Sequence, residues 1–295
     1  MDVSVITVTW NSAQHIAQQI DSVKRAFVGR KYQHIIIDNN STDATAKIIA
    51  TQFPEVTLVK NNVNVGFAAA NNQALRLATG KYFLFLNPDM VVSAESLVAM
   101  EKYLDSNNRV AIAGCRLVNE RGENRLSLRP TFFPTFSQLL ALIFKLPVFY
   151  PKLSSRWCYP VNMQSEPVQV DAVRGSCLMM RRVLFEQLGF AFDPQFFIWF
   201  EDVDICREAK RLGWQVVYLP YVQAIDFMGQ SFKQIDHVKR QQQFLKSAVL
   251  YFKKWHSPYQ AKILLLLSPL SVFVVWVYAV LQGNKIFKFR DAIER

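Results

Sequence analysis

Short β-branched runs alternating with helical stretches over the first hundred residues predict an α/β domain on a mainly parallel sheet. Polar residues directly follow or flank several of these runs, and open sheets of this class bind ligands beyond the carboxyl ends of their strands. The last 64 residues have a different character. They combine the longest apolar run with most of the excess positive charge.

In chain order, strands are expected at Val3 to Thr9, His34 to Ile37, Val56 to Val59, Lys81 to Leu86 and Val110 to Leu117, all rich in Val, Ile, Phe and Leu. Helices are expected at Ser12 to Phe27, Asp43 to Gln52, Phe67 to Ala78 and Glu95 to Leu104, and again from Glu201 to about Leu212. The polar flanks are Asn11, the run Asp38 to Asp43, Asn64-Val65-Gly66 and Asn87-Pro88-Asp89. Each has a plain structural reading as well: Ser41-Thr42-Asp43 as a helix cap, Asn64-Val65-Gly66 and Asp89 as turn residues. Their convergence on one sheet edge is what points to a ligand.

Composition excludes several classes. Half of the chain is hydrophobic (51%) and 19% is charged, too apolar for a disordered protein. Cysteines 115, 158, 177 and 206 are 43, 19 and 29 residues apart, so they form neither a C-x-x-C zinc pair nor a dense disulfide framework. Buried thiols in a reducing compartment are expected. The N-terminus MDVSVITVTW lacks a basic n-region and a cleavage site, which predicts a chain that starts in the cytoplasm. No G-x-G-x-x-G follows the first strand and no P-loop occurs. Histidines 15, 34, 237 and 256 form no metal-spaced pair.

Between Phe232 and Arg295, eight Lys and three Arg face Asp236, Asp291 and Glu294, a net +8 of the chain's +11. These cations flank Ile263 to Leu281, nineteen residues without a charge, and do not form the stripe of a nucleic-acid binder. Such a helix would just cross a hydrocarbon core of roughly 30 Å. Pro269 would kink it, and a buried core helix or an interfacial helix are the alternatives. Lys and Arg on both sides leave its orientation unset. A second apolar stretch, Phe132 to Tyr150, is broken by Pro134, Lys145 and Pro147 and reads as a surface-seeking loop or a core helix.

The segments VSVITVTWNS, IIIDNNSTDAT, NVNVGFAAANNQAL, FLFLNPDMVV and FIWFEDVDICREAKRLGW, in this order, resemble the motifs of family 2 glycosyltransferases with the GT-A fold. Asn87-Pro88-Asp89 and the F-E-D-V-D segment are most similar to the bacterial rhamnosyltransferase-type branch. The resemblance covers about residues 1–231 and implies a catalytic domain with a nucleotide-sugar half (1–117) and an acceptor half (118–231), followed by a basic, apolar, helical membrane-associating region (232–295).

The resemblance also implies roles for individual residues. Asp89 ligates Mg or Mn through the donor diphosphate, with Asn87 where many relatives carry a second Asp. Asp38 bonds the base or ribose, Thr9 and Asn11 line the same pocket, and Asn64 and Gly66 let backbone approach the nucleotide. Asp202 is the base that takes the acceptor proton, with Trp199 or Glu201 placing the acceptor. Acids in a first helical turn are favourable on dipole grounds alone, so that reading also stands. Val173 to Cys177 forms the strand before this helix, in which Gly175 lets substrate come close and Arg174 meets phosphate or is a plain surface arginine. Asp226 begins a D-F-M-G-Q-S segment where relatives often have an H-x-x-G-x-S motif, and is a candidate metal ligand. The expected activity is inverting transfer of a sugar, rhamnose first, from a nucleoside-diphosphate donor to a hydroxyl of a lipid-linked or cell-surface glycan at the cytoplasmic face of the membrane. A polyprenyl-phosphate sugar synthase and an inactive sugar-nucleotide-binding scaffold are the alternatives.

Overall fold

The computed structural model describes residues 2–123, 129–150, 152–160, 166–227 and 236–281. Its elements in order are β1 (Val3–Thr9), α1 (Ile16–Ala26), β2 (Tyr32–Asp38), α2 (Thr45–Gln52), β3 (Thr57–Lys60), α3 (Phe67–Leu75), β4 (Tyr82–Leu86), β5 (Met90–Val91), α4 (Ala94–Ser106) and β6 (Val110–Val118). There follow α5 (Phe136–Ile143), α6 (Leu146–Phe149), α7 (Lys152–Ser155), β7 (Val168–Gln169), β8 (Cys177–Arg181), α8 (Arg182–Leu188), α9 (Glu201–Arg211), β9 (Gln215–Asp226), α10 (His237–Trp255) and α11 (Pro258–Leu281).

The strands form one sheet in the order β3-β2-β1-β4-β8-β6-β9-β5, with β7 paired to β9. The first half is parallel: β1 lies between β2 and β4, and β2 pairs with β3. In the second half β8 runs antiparallel to both β4 and β6, so the sheet is mixed. Side chains of β4 alternate as a buried strand must, with Phe83 and Phe85 on one face and Tyr82, Leu84 and Leu86 on the other. Helix starts follow ordinary capping chemistry. Ser93 accepts from the Ser96 amide at α4, Thr135 and Gln138 form a capping box at α5, and Asp236 accepts from the Val238 and Lys239 amides at α10.

Two expectations change. The first helix starts at Ile16, because Ser12 to His15 are taken up in a turn whose Ser12 carbonyl accepts from the Ile16 amide. Val173 to Ser176 are the approach to β8, which begins only at Cys177. The expected boundary at residue 231 lies outside the described residues, and the two C-terminal helices form no separate body. Leu245, Ala248, Tyr251 and Phe252 of α10 and Ala261 and Leu264 of α11 belong to the same core as Ile6, Phe85 and Ile205. Lys254 of α10 completes the attachment by pairing with Asp193 (3.0 Å), Asp204 (2.9 Å) and Glu208 (3.0 Å). Burial works against this ammonium, but the hydrogen bonds and charges of those carboxylates outweigh it and hold its pKa above the ordinary range.

Candidate active site

The parallel strands β1 and β2 end side by side, with Thr9 in register with Asp38. Both residues are buried, and both are left with an unmet polar atom: neither Thr9 Oγ1 nor Asp38 Oδ1 has a hydrogen-bond partner. A hydroxyl donor and a carboxylate acceptor orphaned together at a sheet edge cost stability unless a ligand satisfies them. Asn11, at φ 48°, accepts from the Thr42 amide (2.8 Å) and donates its own amide to Ser41 Oγ (2.9 Å), tying the first strand end to the loop after β2.

Asn39, which carries no role in the sequence motifs, organises this edge. Its amide donates to the Thr9 carbonyl, its Nδ2 donates to Asn64 Oδ1 (2.8 Å) and the Gly66 carbonyl (3.2 Å), and its Oδ1 accepts from the Val65 amide (3.0 Å). The only signal for it was its place directly after Asp38. Asn64 Oδ1 and the Gly66 carbonyl are therefore bonded to protein at this edge. A Cβ on Gly66 (φ 89°) would lie 2.7 Å from the Phe197 carbonyl oxygen, and the neighbouring Phe67 amide donates to that oxygen at 2.6 Å. Gly66 is needed so that the start of α3 can dock on the segment before α9.

Asn87 to Asp89 form the turn from β4 to β5. Asp89 is 8% exposed and Asp226 7% exposed. The β5–β9 ladder puts Met90 opposite Asp226, and the Phe227 amide donates to the Asp89 carbonyl at 3.0 Å. Asp226 at the end of β9 thus lies beside the turn that carries Asp89. The rest of the D-F-M-G-Q-S segment, from Met228 onward, lies outside the described residues. Among the described residues no cluster of three His, Cys, Asp or Glu side chains is arranged to hold an ion. Two carboxylates with oxygen donors only suit Mg or Mn whose remaining ligands come from a diphosphate.

The acceptor side meets this turn through one short segment. The Asn87 amide donates to the Ser176 carbonyl (2.9 Å), and the adjacent Gly175 amide donates to Asp202 Oδ2 (3.1 Å). The Val203 amide holds the other oxygen, Oδ1, at 2.8 Å. A Cβ on Gly175 would stand 3.1 Å from Asp202 Cβ, so the close approach this glycine permits is to Asp202, where the sequence suggested substrate. Asp202 is half-buried at the second position of α9. Its neighbour Glu201 is 7% exposed, and burial first, then the charge of Asp202, pushes its pKa well above the carboxylate range. Glu201 Oε2 has no partner.

Trp199 and Phe200, just before α9, both adopt positive φ (67° and 69°), a costly conformation for aromatic residues that a tightly packed surround must hold. That surround is α10. Trp199 meets the Phe244 ring edge-on at 6.0 Å, and Ser247 Oγ donates to the Ile198 carbonyl (2.7 Å). Arg174 is half-buried and its Nε is buried without a partner, which distinguishes it from a plain surface arginine. Sequence reasoning missed Ser176, Ser247 and Lys254, since none lies in a recognisable motif.

The sequence profile described as Glycosyl transferase family 2 matches residues 4–189. The N-acetylglucosaminyl-diphospho-decaprenol L-rhamnosyltransferase of Mycobacterium tuberculosis is 26% identical over 240 residues, 75% of this chain and 74% of that protein. Rhamnosyltransferase WbbL of Escherichia coli is 26% identical over 204 residues, covering 67% and 74%. Among solved structures, the mannosyltransferase PcManGT of Pyrobaculum calidifontis in complex with GDP-Man and Mn2+ superimposes with a TM-score of 0.56 at 19% identity, over 95% of this chain and 75% of that one. TarS of S. aureus in complex with UDP-GlcNAc gives 0.55 at 18% identity, over 85% and 66%. The sheet order, the polar strand ends and these matches agree: the chain belongs to family 2 of the glycosyltransferases, in the rhamnosyltransferase-like branch, and is a sugar-transferring enzyme with the GT-A fold.

Proposed function

We propose that this enzyme moves a sugar, rhamnose first among the candidates, from a nucleoside-diphosphate donor to a hydroxyl of a lipid-linked or surface glycan at the cytoplasmic face of the membrane. The observation that carries this reading is the chain of contacts from Asn87 through Ser176 and Gly175 to Asp202, which joins the Asp89 turn to the acidic start of α9. The names of the mycobacterial and E. coli relatives support rhamnose, and the former supports a lipid-diphosphate acceptor.

In this mechanism Thr9 and Asp38 satisfy their free hydrogen-bonding atoms on the base and ribose. Asp89 and Asp226 would hold a divalent cation, Mg or Mn, which when bound would supply positive charge for the leaving diphosphate. Asp202 takes the proton from the acceptor hydroxyl as that oxygen bonds to the anomeric carbon and the carbon–oxygen bond to diphosphate breaks, with inversion in a single displacement. The Gly175 and Val203 amides fix the rotamer of the base, while its remaining lone pairs accept. Glu201, whose pKa is raised by burial and by the charge of Asp202, leaves its buried Oε2 unpartnered beside the base. Trp199 supplies apolar surface against the sugar, and Arg174 meets phosphate.

A panel of nucleotide sugars tested for thermal stabilisation, with and without Mg or Mn, tests the donor assignment. One donor is expected to raise the melting temperature in a metal-dependent way. Absence of any shift across the panel contradicts it.

A further inference from the structure

The two apolar stretches of the sequence, more than a hundred residues apart, pack against each other. Ser271 of α11 donates its hydroxyl to the Ile143 carbonyl at the end of α5 (2.8 Å), and Gln241 of α10 donates to both Ser271 Oγ (2.8 Å) and that carbonyl (3.3 Å). All three residues are buried.

The sides of α11 differ sharply. Ala261, Leu264, Ser271 and Val275 are buried against the protein, while Leu265, Leu266, Leu270, Phe273, Trp276 and Val280 are between 51% and 78% exposed. At roughly 100° per residue the exposed set falls on one face about 140° wide and the buried set on the other. Pro258–Val280 is long and apolar enough to cross a membrane (23 residues, with an 18-residue window of mean hydropathy 2.4), yet its inner side carries the buried Ala261, Leu264, Ser271 and Val275. A crossing orientation would either strip α11 from α10 and expose Leu245 and Ala248, or drag α10 with Lys239, Arg240, Lys246 and Lys253 into hydrocarbon.

Charge selects the partner. Neither 129–160 nor 237–281 contains a single Asp or Glu, and Lys152, Arg156, Lys246, Lys253 and Lys262 of these segments are exposed. A solvent-facing apolar face flanked by these exposed cations matches an anionic lipid surface.

We propose that α11 is a monotopic anchor: it lies in the plane of an anionic membrane surface, with its outer face among the lipids and its inner face clamped to α10. Because α10 also holds Ile198 and Trp199, the anchor sets the start of α9, and with it Asp202, one helix away from the bilayer surface. This last step rests on the glycosyl-transfer reading; the anchoring does not.

The test uses the full chain and vesicles of phosphatidylcholine with and without phosphatidylglycerol. Wild type is expected to co-sediment with the anionic vesicles and to be released by high salt more readily than by dilution. The double variant Leu266→Glu/Phe273→Glu is expected to lose at least ten-fold in partitioning while keeping transfer to a water-soluble acceptor analogue. Spin labels on Leu266→Cys, Leu270→Cys and Phe273→Cys, introduced singly where the native thiols are buried, are expected to report one shared shallow depth. A depth that changes steadily along these positions would mean a span and overturn the proposal. So would wild type that ignores vesicles, or that self-associates through this face in a manner the double variant abolishes. Loss of transfer in wild type with intact, shallow vesicle binding would count against the glycosyl-transfer reading alone.

Discussion

The donor edge and the acceptor side are built on different principles. At the donor edge Thr9 and Asp38 sit at the ends of neighbouring parallel strands, so two consecutive turns of the α/β pattern bring them together and leave their polar atoms free. On the acceptor side Asp202 depends on remote supports: Gly175 across the sheet, Gly66 and Phe67 docking on Phe197, and α10 holding Ile198 from fifty residues downstream. A donor-edge substitution should therefore alter ligand binding and little else. An acceptor-side substitution should alter stability and turnover together.

The largest departure is expected at Lys254. Lys254→Met leaves Asp193, Asp204 and Glu208 without their shared, partly exposed cation, and the loss should fall below about 3–5 kcal/mol, the cost of breaking a fully buried ion pair. Chemical denaturation should show that loss, with acceptor KM rising in parallel. Next is Gly66→Ala. Its positive φ and the 2.7 Å approach to Phe197 predict a loss of about 1–3 kcal/mol and a lower kcat, with donor affinity barely changed. If donor affinity fell and stability did not, the glycine would serve the nucleotide after all.

Thr9→Val should behave in the opposite sense. The hydroxyl it removes has no protein partner, so stability is unchanged or higher while the donor dissociation constant rises by about ten-fold, the worth of one hydrogen bond to a ligand. Calorimetry of donor binding beside a melting curve separates the two.

The smallest expected effect is in pH. Burial pushes the pKa of His34, on β2, down to about 3, below its unfolded value. Its contribution is complete above the unfolded pKa and is lost as pH falls toward 3. Glu201 is shifted the other way, with the folded pKa raised, so its contribution is complete below the ordinary carboxylate pKa and is lost as pH rises. Melting curves against pH should thus flatten on the acid side in His34→Gln and on the neutral side in Glu201→Gln.

The same contrast explains what was legible in the sequence. Val3–Thr9 was readable to the residue because its Val, Ile and Thr are β-branched, and Asp38 and Asp89 were readable because polarity begins where the apolar runs before them stop. The segment 173–176 reads as strand from its β-branched start, but its amides and carbonyls serve Asp202 and Asn87 instead of a ladder. Gly66 and Gly175 are recognisable as close-approach positions, yet a sequence does not say what approaches. The docking of α10 and α11 was hidden because an apolar helix face reads alike whether lipid or protein covers it, and α11 presents one face to each kind of surrounding.

The central claim is that Asp89 and Asp202 act on one substrate from the two sides. Donor binding by calorimetry and transfer by product assay, measured on Asp89→Asn and Asp202→Asn with metal present, test it most directly. Asp89→Asn should lose metal-dependent donor binding. Asp202→Asn should bind donor as wild type does while kcat falls by about 10²–10⁴. Near-normal transfer by Asp202→Asn, or donor binding by Asp89→Asn with its metal dependence intact, would contradict the account.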